Sequence, residues 1–217
     1  MTKATLPPTL AQTPSQTPSQ TIGPFFSYAL TPHAYGRPTL VGNVLADTAS
    51  QGQLIHIAGR VTDGAGAPVA DALVEIWQAN AAGRYQHPED ARDQIPLDDA
   101  FTGCGRVGTE ADGRYQFTSI KPGAIGDGQA PHINVVVSAR GMLLHVFTRI
   151  YFADEGAANA YDRVLASVPA ARRHTLIAAT GDTHQPDVDI GRTASAVPIY
   201  TFDIRLQGAG ETVFFDA

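Results

Sequence analysis

Cysteine and tryptophan each occur once in this 217-residue sequence, and lysine occurs only as Lys3 and Lys121. With Cys104 alone, a disulfide framework and a cysteine-rich metal site are both excluded. Lying between Gly103 and Gly105, that cysteine reads as a small structural residue, not a nucleophile. The scarcity of lysine and a net charge of −6 argue against a nucleic-acid or anionic-membrane surface, which needs clustered cations. No apolar run approaches the ~20 residues that span a bilayer. Thr2-Lys3-Ala4 leads into proline and polar residues, not an apolar signal segment, so a cytoplasmic protein is expected. Gly-x-Ser-x-Gly, the phosphate-binding Walker loop and His-Glu-x-x-His are missing, which leaves nucleophilic hydrolysis, nucleotide binding and zincin chemistry without local support.

What remains is the composition of an ordinary globular chain, 43% hydrophobic and 17% charged. Its length suits one domain with an appended arm and buries roughly 70% of the unfolded surface. Residues 1–53 differ from the rest. Seven prolines fall before residue 39, and Thr13-Pro14-Ser15-Gln16 repeats as Thr17-Pro18-Ser19-Gln20. Each proline disfavours helix at the preceding residue and cannot donate to a ladder, so an extended, polyproline-like arm and connecting segment are expected. Within the arm, Ile22-Gly23-Pro24-Phe25-Phe26-Ser27-Tyr28 is too aromatic for a solvated linker and requires cover from its own domain or another chain.

From residue 54 to 217 the period becomes 2. Ile55, Ile57 and Val61 alternate with His56, Ala58 and Arg60, and Asp63-Gly64 supplies a turn. Leu73 to Gln78, the stretch after Asp112-Gly113, His132 to Ser138, Leu144 to Phe152, Thr201 to Leu206 and Thr212 to Phe215 read as further strands. Many short strands between turn signals predict an all-β chain with an antiparallel β-sandwich core. Only residues 157–179 look helical, with Tyr161, Val164, Leu165 and Val168 at helical spacing and Pro169 interrupting.

Candidate chemistry centres on Pro131-His132-Ile133-Asn134. In a strand, residues i and i+2 share a face, so a His-x-His pair chelates one metal. Here the second position is an amide, a weak neutral donor. One imidazole cannot hold a catalytic metal, and His132 reads as an inward, hydrogen-bonded polar residue. Tyr85 reads as a packing residue with a satisfied hydroxyl, and Trp77 as a core or interface anchor. Asp182, His184, Asp187 and Asp189 form an oxygen-rich loop that fails the EF-hand spacing and reads as solvated surface.

Four stretches together carry a resemblance: Thr17-Pro18-Ser19-Gln20-Thr21-Ile22-Gly23-Pro24-Phe25; Val74-Glu75-Ile76-Trp77-Gln78-Ala79; Ala130-Pro131-His132-Ile133-Asn134; and Phe202-Asp203-Ile204-Arg205-Leu206-Gln207-Gly208 with Gly210 to Phe215. From about residue 13 to the C-terminus the chain resembles the intradiol ring-cleaving dioxygenases, non-haem ferric enzymes that open catechol rings with O2. That family holds Fe(III) with two tyrosinates and two histidines, hard anionic oxygens plus neutral nitrogens. One tyrosine follows the Gly-Arg-Tyr motif, yet His87 to Pro96 contains none; the other follows Lys-Pro-Gly, yet Lys121-Pro122-Gly123 continues Ala124-Ile125. Three of four ligand positions are thus empty, His132 and Asn134 being vestigial, so no metal is expected on this chain.

The resemblance therefore implies the metal-free subunit of a heteromeric member. A β chain would hold the Fe(III), the αβ pairs would assemble further, and 3,4-dihydroxybenzoate would be cleaved with O2 to 3-carboxy-cis,cis-muconate. It also implies that Thr21, Gly23, Pro24 and Phe25 line the substrate pocket at the subunit interface, although Phe25 stands where the family often has a tyrosine. Arg140 is the candidate for substrate electrostatics: it shares strand parity with His132 and Asn134 if no bulge intervenes, and a guanidinium suits a carboxylate. A surface or interface salt bridge is the competing reading for Arg140. For the whole chain the competing readings are a non-catalytic β-sandwich binding or scaffold module, and a self-sufficient dioxygenase, which the absent tyrosines oppose.

Overall fold

The computed structural model describes residues 26–181 and 197–216. Thr21, Gly23, Pro24 and Phe25 lie outside those residues, as do Asp182, His184, Asp187 and Asp189. The described chain is built on strands β1 (Leu54–Thr62), β2 (Leu73–Gln78), β3 (Cys104–Gly108), β4 (Arg114–Ile120), β5 (His132–Ser138), β6 (Val146–Phe152), β7 (Ile177–Thr180), β8 (Ile199–Thr201) and β9 (Ile204–Arg205). They join in the order β3-β2-β5-β6-β7-β8-β1-β4, with β9 beside β1. Pairing is mostly antiparallel, as the alternating sequence predicts. The pairings of β1 with β8, of β1 with β9 and of β6 with β7 are parallel.

The period-2 pattern puts the apolar residues on one face. Ile55, Ile57 and Val61 of β1, Val74 and Ile76 of β2, and Ile133, Val135 and Val137 of β5 all enter one core. The sheet nearly closes on itself, and residues 42–45 bridge its two ends. Arg106 of β3 donates its backbone N–H to Gly42 O at 2.8 Å, while Leu45 and Thr118 of β4 are joined by Leu45 N–H to Thr118 O at 2.8 Å. Leu45 is buried at the seam. Gly105 makes the close approach possible: a Cβ there would stand 2.5 Å from Leu45 Cδ1. Strand β3, which sequence patterning does not anticipate, is glycine-rich for this reason and shows no alternation.

One expectation needs correction. Residues 26–35 are not extended: α1 (Phe26–Leu30) and a 3₁₀ turn at Pro32–Tyr35 occupy them, with Pro32 at a helix start, where its missing N–H costs nothing. The helical insertion expected over 157–179 is present, and it is broken at Asp162 as well as at Pro169. Its residues form α2 (Gly156–Tyr161), α3 (Arg163–Ser167), a 3₁₀ turn at Ala170–Leu176 and the start of β7. The first break falls at fully buried Asp162, whose extended backbone ends α2 and whose carboxylate caps α3 by accepting Leu165 N–H at 2.7 Å. Among the described residues, no helix is long and apolar enough to cross a membrane.

Candidate functional site

The site is assembled from the N-terminal end of β5, the facing end of β6 and the loop after β2. Buried Asp162 fixes the floor, accepting the Ala130 backbone N–H at 2.7 Å and the Tyr151 hydroxyl at 3.0 Å. Ala130 in turn orients His132, whose Nδ1 lies 2.8 Å from the Ala130 carbonyl oxygen. A carbonyl only accepts, so Nδ1 carries the proton and Nε2 presents a lone pair. That Nε2 is buried and without a hydrogen-bond partner. Burial holds the imidazole at a pKa of about 4, so it is neutral at physiological pH.

Asn80 shapes the loop after β2, accepting the backbone N–H groups of Ala82 and Arg84 at 3.0 Å each and donating to Pro96 O at 2.9 Å. Gly83 turns with φ +86°, where a Cβ would fall 2.1 Å from Ala124 O. This brings Tyr85 over the sheet, where its hydroxyl accepts Asn134 Nδ2–H at 3.0 Å. Its backbone N–H donates to Asp90 at 2.8 Å. Asp90 forms a two-point ion pair with Arg92, Nε to Oδ1 at 2.7 Å and Nη2 to Oδ2 at 2.5 Å, and the guanidinium holds its carboxyl well below the usual carboxylate range. Arg92 also donates to Ile125 O and Gly83 O, tying residues 87–96 to the loop after β2 and to the stretch after Lys121-Pro122-Gly123.

Opposite Asn134 in the β5–β6 ladder stands Arg149, and opposite His132 stands Tyr151. Arg149 donates to Gln129 Oε1 at 2.9 Å. Burial raises the Tyr85 hydroxyl pKa, against the lowering effects of the Asn134 hydrogen bond and of Arg149 and Arg92; burial takes Tyr151 to about 12. Trp77 is not in the core: it is 40% exposed, stacked against Tyr85 at 6.2 Å and met edge-on by His87 at 5.6 Å. With Asp90 and Arg92 these rings line an open cleft of about 480 Å³.

This donor set does not fit a ferric ion. One neutral imidazole, an amide, a tyrosine kept protonated and two guanidiniums replace the anionic oxygens and second imidazole that such an ion requires. Among the described residues, no group of three or more His, Cys, Asp or Glu side chains could hold a metal.

Arg140 is not brought to this site. It lies two residues beyond the end of β5, eight positions from His132, and its Nε donates to the Asp71 carboxylate in a surface ion pair. Sequence reasoning missed Arg149, Gln129 and Arg92. Arg92 was visible as the charged occupant of the tyrosine-free window, whereas Arg149 becomes apparent only through the β5–β6 register.

A family model described as "Dioxygenase" matches residues 22–208. The protocatechuate 3,4-dioxygenase alpha chain of Burkholderia cepacia is 45% identical over 200 residues, covering 90% of this chain and 94% of that protein. The beta chain of the same enzyme and organism is 38% identical over 180 residues, 80% of this chain and 72% of that one. Among solved structures, an intradiol ring-cleavage dioxygenase from Tetranychus urticae shares the fold with a TM-score of 0.56 at 17% identity, over 88% of this chain and 94% of that one. Family-model coverage, identity along nearly the whole length and the shared β architecture agree: this chain belongs to the intradiol ring-cleavage dioxygenases, a family of iron-dependent oxidoreductases.

Proposed function

We propose that this chain is the non-iron-binding alpha subunit of a protocatechuate 3,4-dioxygenase, working in the cytoplasm with a beta chain that carries the Fe(III). The observation that carries this reading is the donor chemistry at the family's ligand positions, where Asn134 follows His132 in place of a second imidazole and residues 87–96 hold no tyrosine. The high identity to an alpha chain over 90% of the sequence supports the same assignment. When bound by the beta chain, the ferric ion would activate the catecholate of 3,4-dihydroxybenzoate toward O2, giving 3-carboxy-cis,cis-muconate. The pairs would assemble into a larger αβ oligomer.

In this reading the present chain contributes pocket wall and charge. Thr21, Gly23, Pro24 and Phe25 of the arm, within residues 1–53, line the partner's substrate pocket, Gly23 and Pro24 giving close approach and a fixed chain direction. Arg140 orients the substrate carboxylate. Its position favours this role: the side chain is 62% exposed, so its Asp71 pair is worth only ~0–1 kcal/mol and is easily exchanged for a substrate carboxylate. Leu143 and Leu144 follow it, exposed at 82% and 55%, and suit cover by another chain.

The test is co-expression with a homologous beta chain. Co-purification and ring cleavage by the complex, with neither chain active alone, are expected; ring cleavage by this chain alone overturns the assignment.

A further inference from the structure

Emptying a metal site leaves a problem of charge that donor counting does not address. His132, Asn134, Arg149 and Tyr151 lie on one sheet face, because the first two are i and i+2 of β5 and the last two are their direct ladder partners. Arg149 is therefore fixed in register at the floor of the site. Gln129 anchors its guanidinium at 2.9 Å, and its positive charge acts on both His132 and Tyr85, the two groups in the site that most resemble family ligands. A guanidinium cannot be deprotonated at any pH the protein survives, so this charge is permanent.

We propose that Arg149 is the resident cation of the emptied site and the residue that bars a metal ion from it. The loss of the second imidazole and the tyrosines makes the site a poor chelator. Arg149 makes it a hostile one, since its repulsion grows with the charge of the incoming ion and acts at low effective dielectric. The inference rests on the reading that this chain carries no iron, and it assigns that property to a side chain outside the ligand positions.

The experiment restores the missing imidazole with and without the cation, in the full-length chain. Asn134→His, Asn134→His/Arg149→Gln and Asn134→His/Arg149→Lys are dialysed against cobalt(II) chloride, bound cobalt is measured by elemental analysis, and visible d–d bands report coordination. Thermal melts confirm folding, and Arg149→Met replaces Arg149→Gln should the latter not fold. Asn134→His/Arg149→Gln is expected to bind cobalt at least about tenfold more tightly than Asn134→His alone, with Asn134→His/Arg149→Lys remaining as weak as the single variant. Equal affinity of Asn134→His and Asn134→His/Arg149→Gln overturns the role of Arg149, and tight binding by the lysine variant overturns its electrostatic cause. Cobalt on the unsubstituted chain at comparable affinity instead overturns the metal-free reading itself.

Discussion

Asn134 gives its side-chain N–H to the Tyr85 hydroxyl at 3.0 Å, so an amide and a neutral phenol bond to each other between β5 and the loop after β2. The pair satisfies both side chains, whereas the neighbouring His132 Nε2 has no hydrogen-bond partner. Tyr85→Phe leaves the Asn134 amide short of an acceptor and should cost about 0.5–1.5 kcal/mol, read as a lower urea midpoint at unchanged slope. No loss of stability would show that the contact is dispensable.

His132 gives a pH signature. Its folded pKa of about 4 lies below the unfolded value of 6.5, so the unfolded chain binds the extra proton between them. Stability from this group is complete above pH 6.5 and drains as pH falls toward 4. The full loss is on the order of 3 kcal/mol. Urea unfolding at pH 7 and 4.5 should show a larger acid loss for the native chain than for His132→Gln; identical losses contradict a buried neutral imidazole.

Closure of the sheet by residues 42–45 predicts a contrast between two neighbouring leucines. Leu45→Ala empties the seam and should cost about 2–5 kcal/mol, while fully exposed Leu40→Ala should change stability by less than about 0.5 kcal/mol. Equal effects in denaturant melts would mean that the segment is only laid on the surface.

Arg140→Ala should raise KM for protocatechuate about tenfold in the complex, the worth of roughly one charge-assisted bond, while leaving KM for uncharged catechol nearly unchanged. Parallel changes for the two substrates would rule out a carboxylate contact. The iron content of the complex should not move.

Removing residues 13–25 should impair substrate binding by the complex and spare its iron. Unaltered steady-state kinetics would refute a pocket-wall role for Thr21, Gly23, Pro24 and Phe25.

Much of the architecture was legible because burial on one face imposes period 2. Leu73–Gln78 and His132–Ser138 read as strands from sequence, and they are strands with those bounds. Strand β3 was not legible, because Gly105 answers to the approach of Leu45 and not to alternation. The helical reading of 157–179 matches the helices found there, but the break at Asp162 was not legible, because that residue holds Ala130 and Tyr151 at the expense of helix continuity. Parallel pairs such as β6 with β7 join segments about 25 residues apart in sequence, and no local pattern encodes them. At the site, the pairing of His132 with Asn134 two residues on could be read directly from the sequence, since i and i+2 share a strand face. The cation beside them could not: Arg149 is adjacent to Asn134 only through a ladder register that joins residues fifteen apart.

The most direct test of the central claim is an anomalous difference map collected at the iron absorption edge from crystals of the αβ complex. One strong peak per pair, bonded to beta-chain side chains and remote from His132 Nε2, is the predicted result. A peak coordinated by His132 and other side chains of this chain would contradict the account outright.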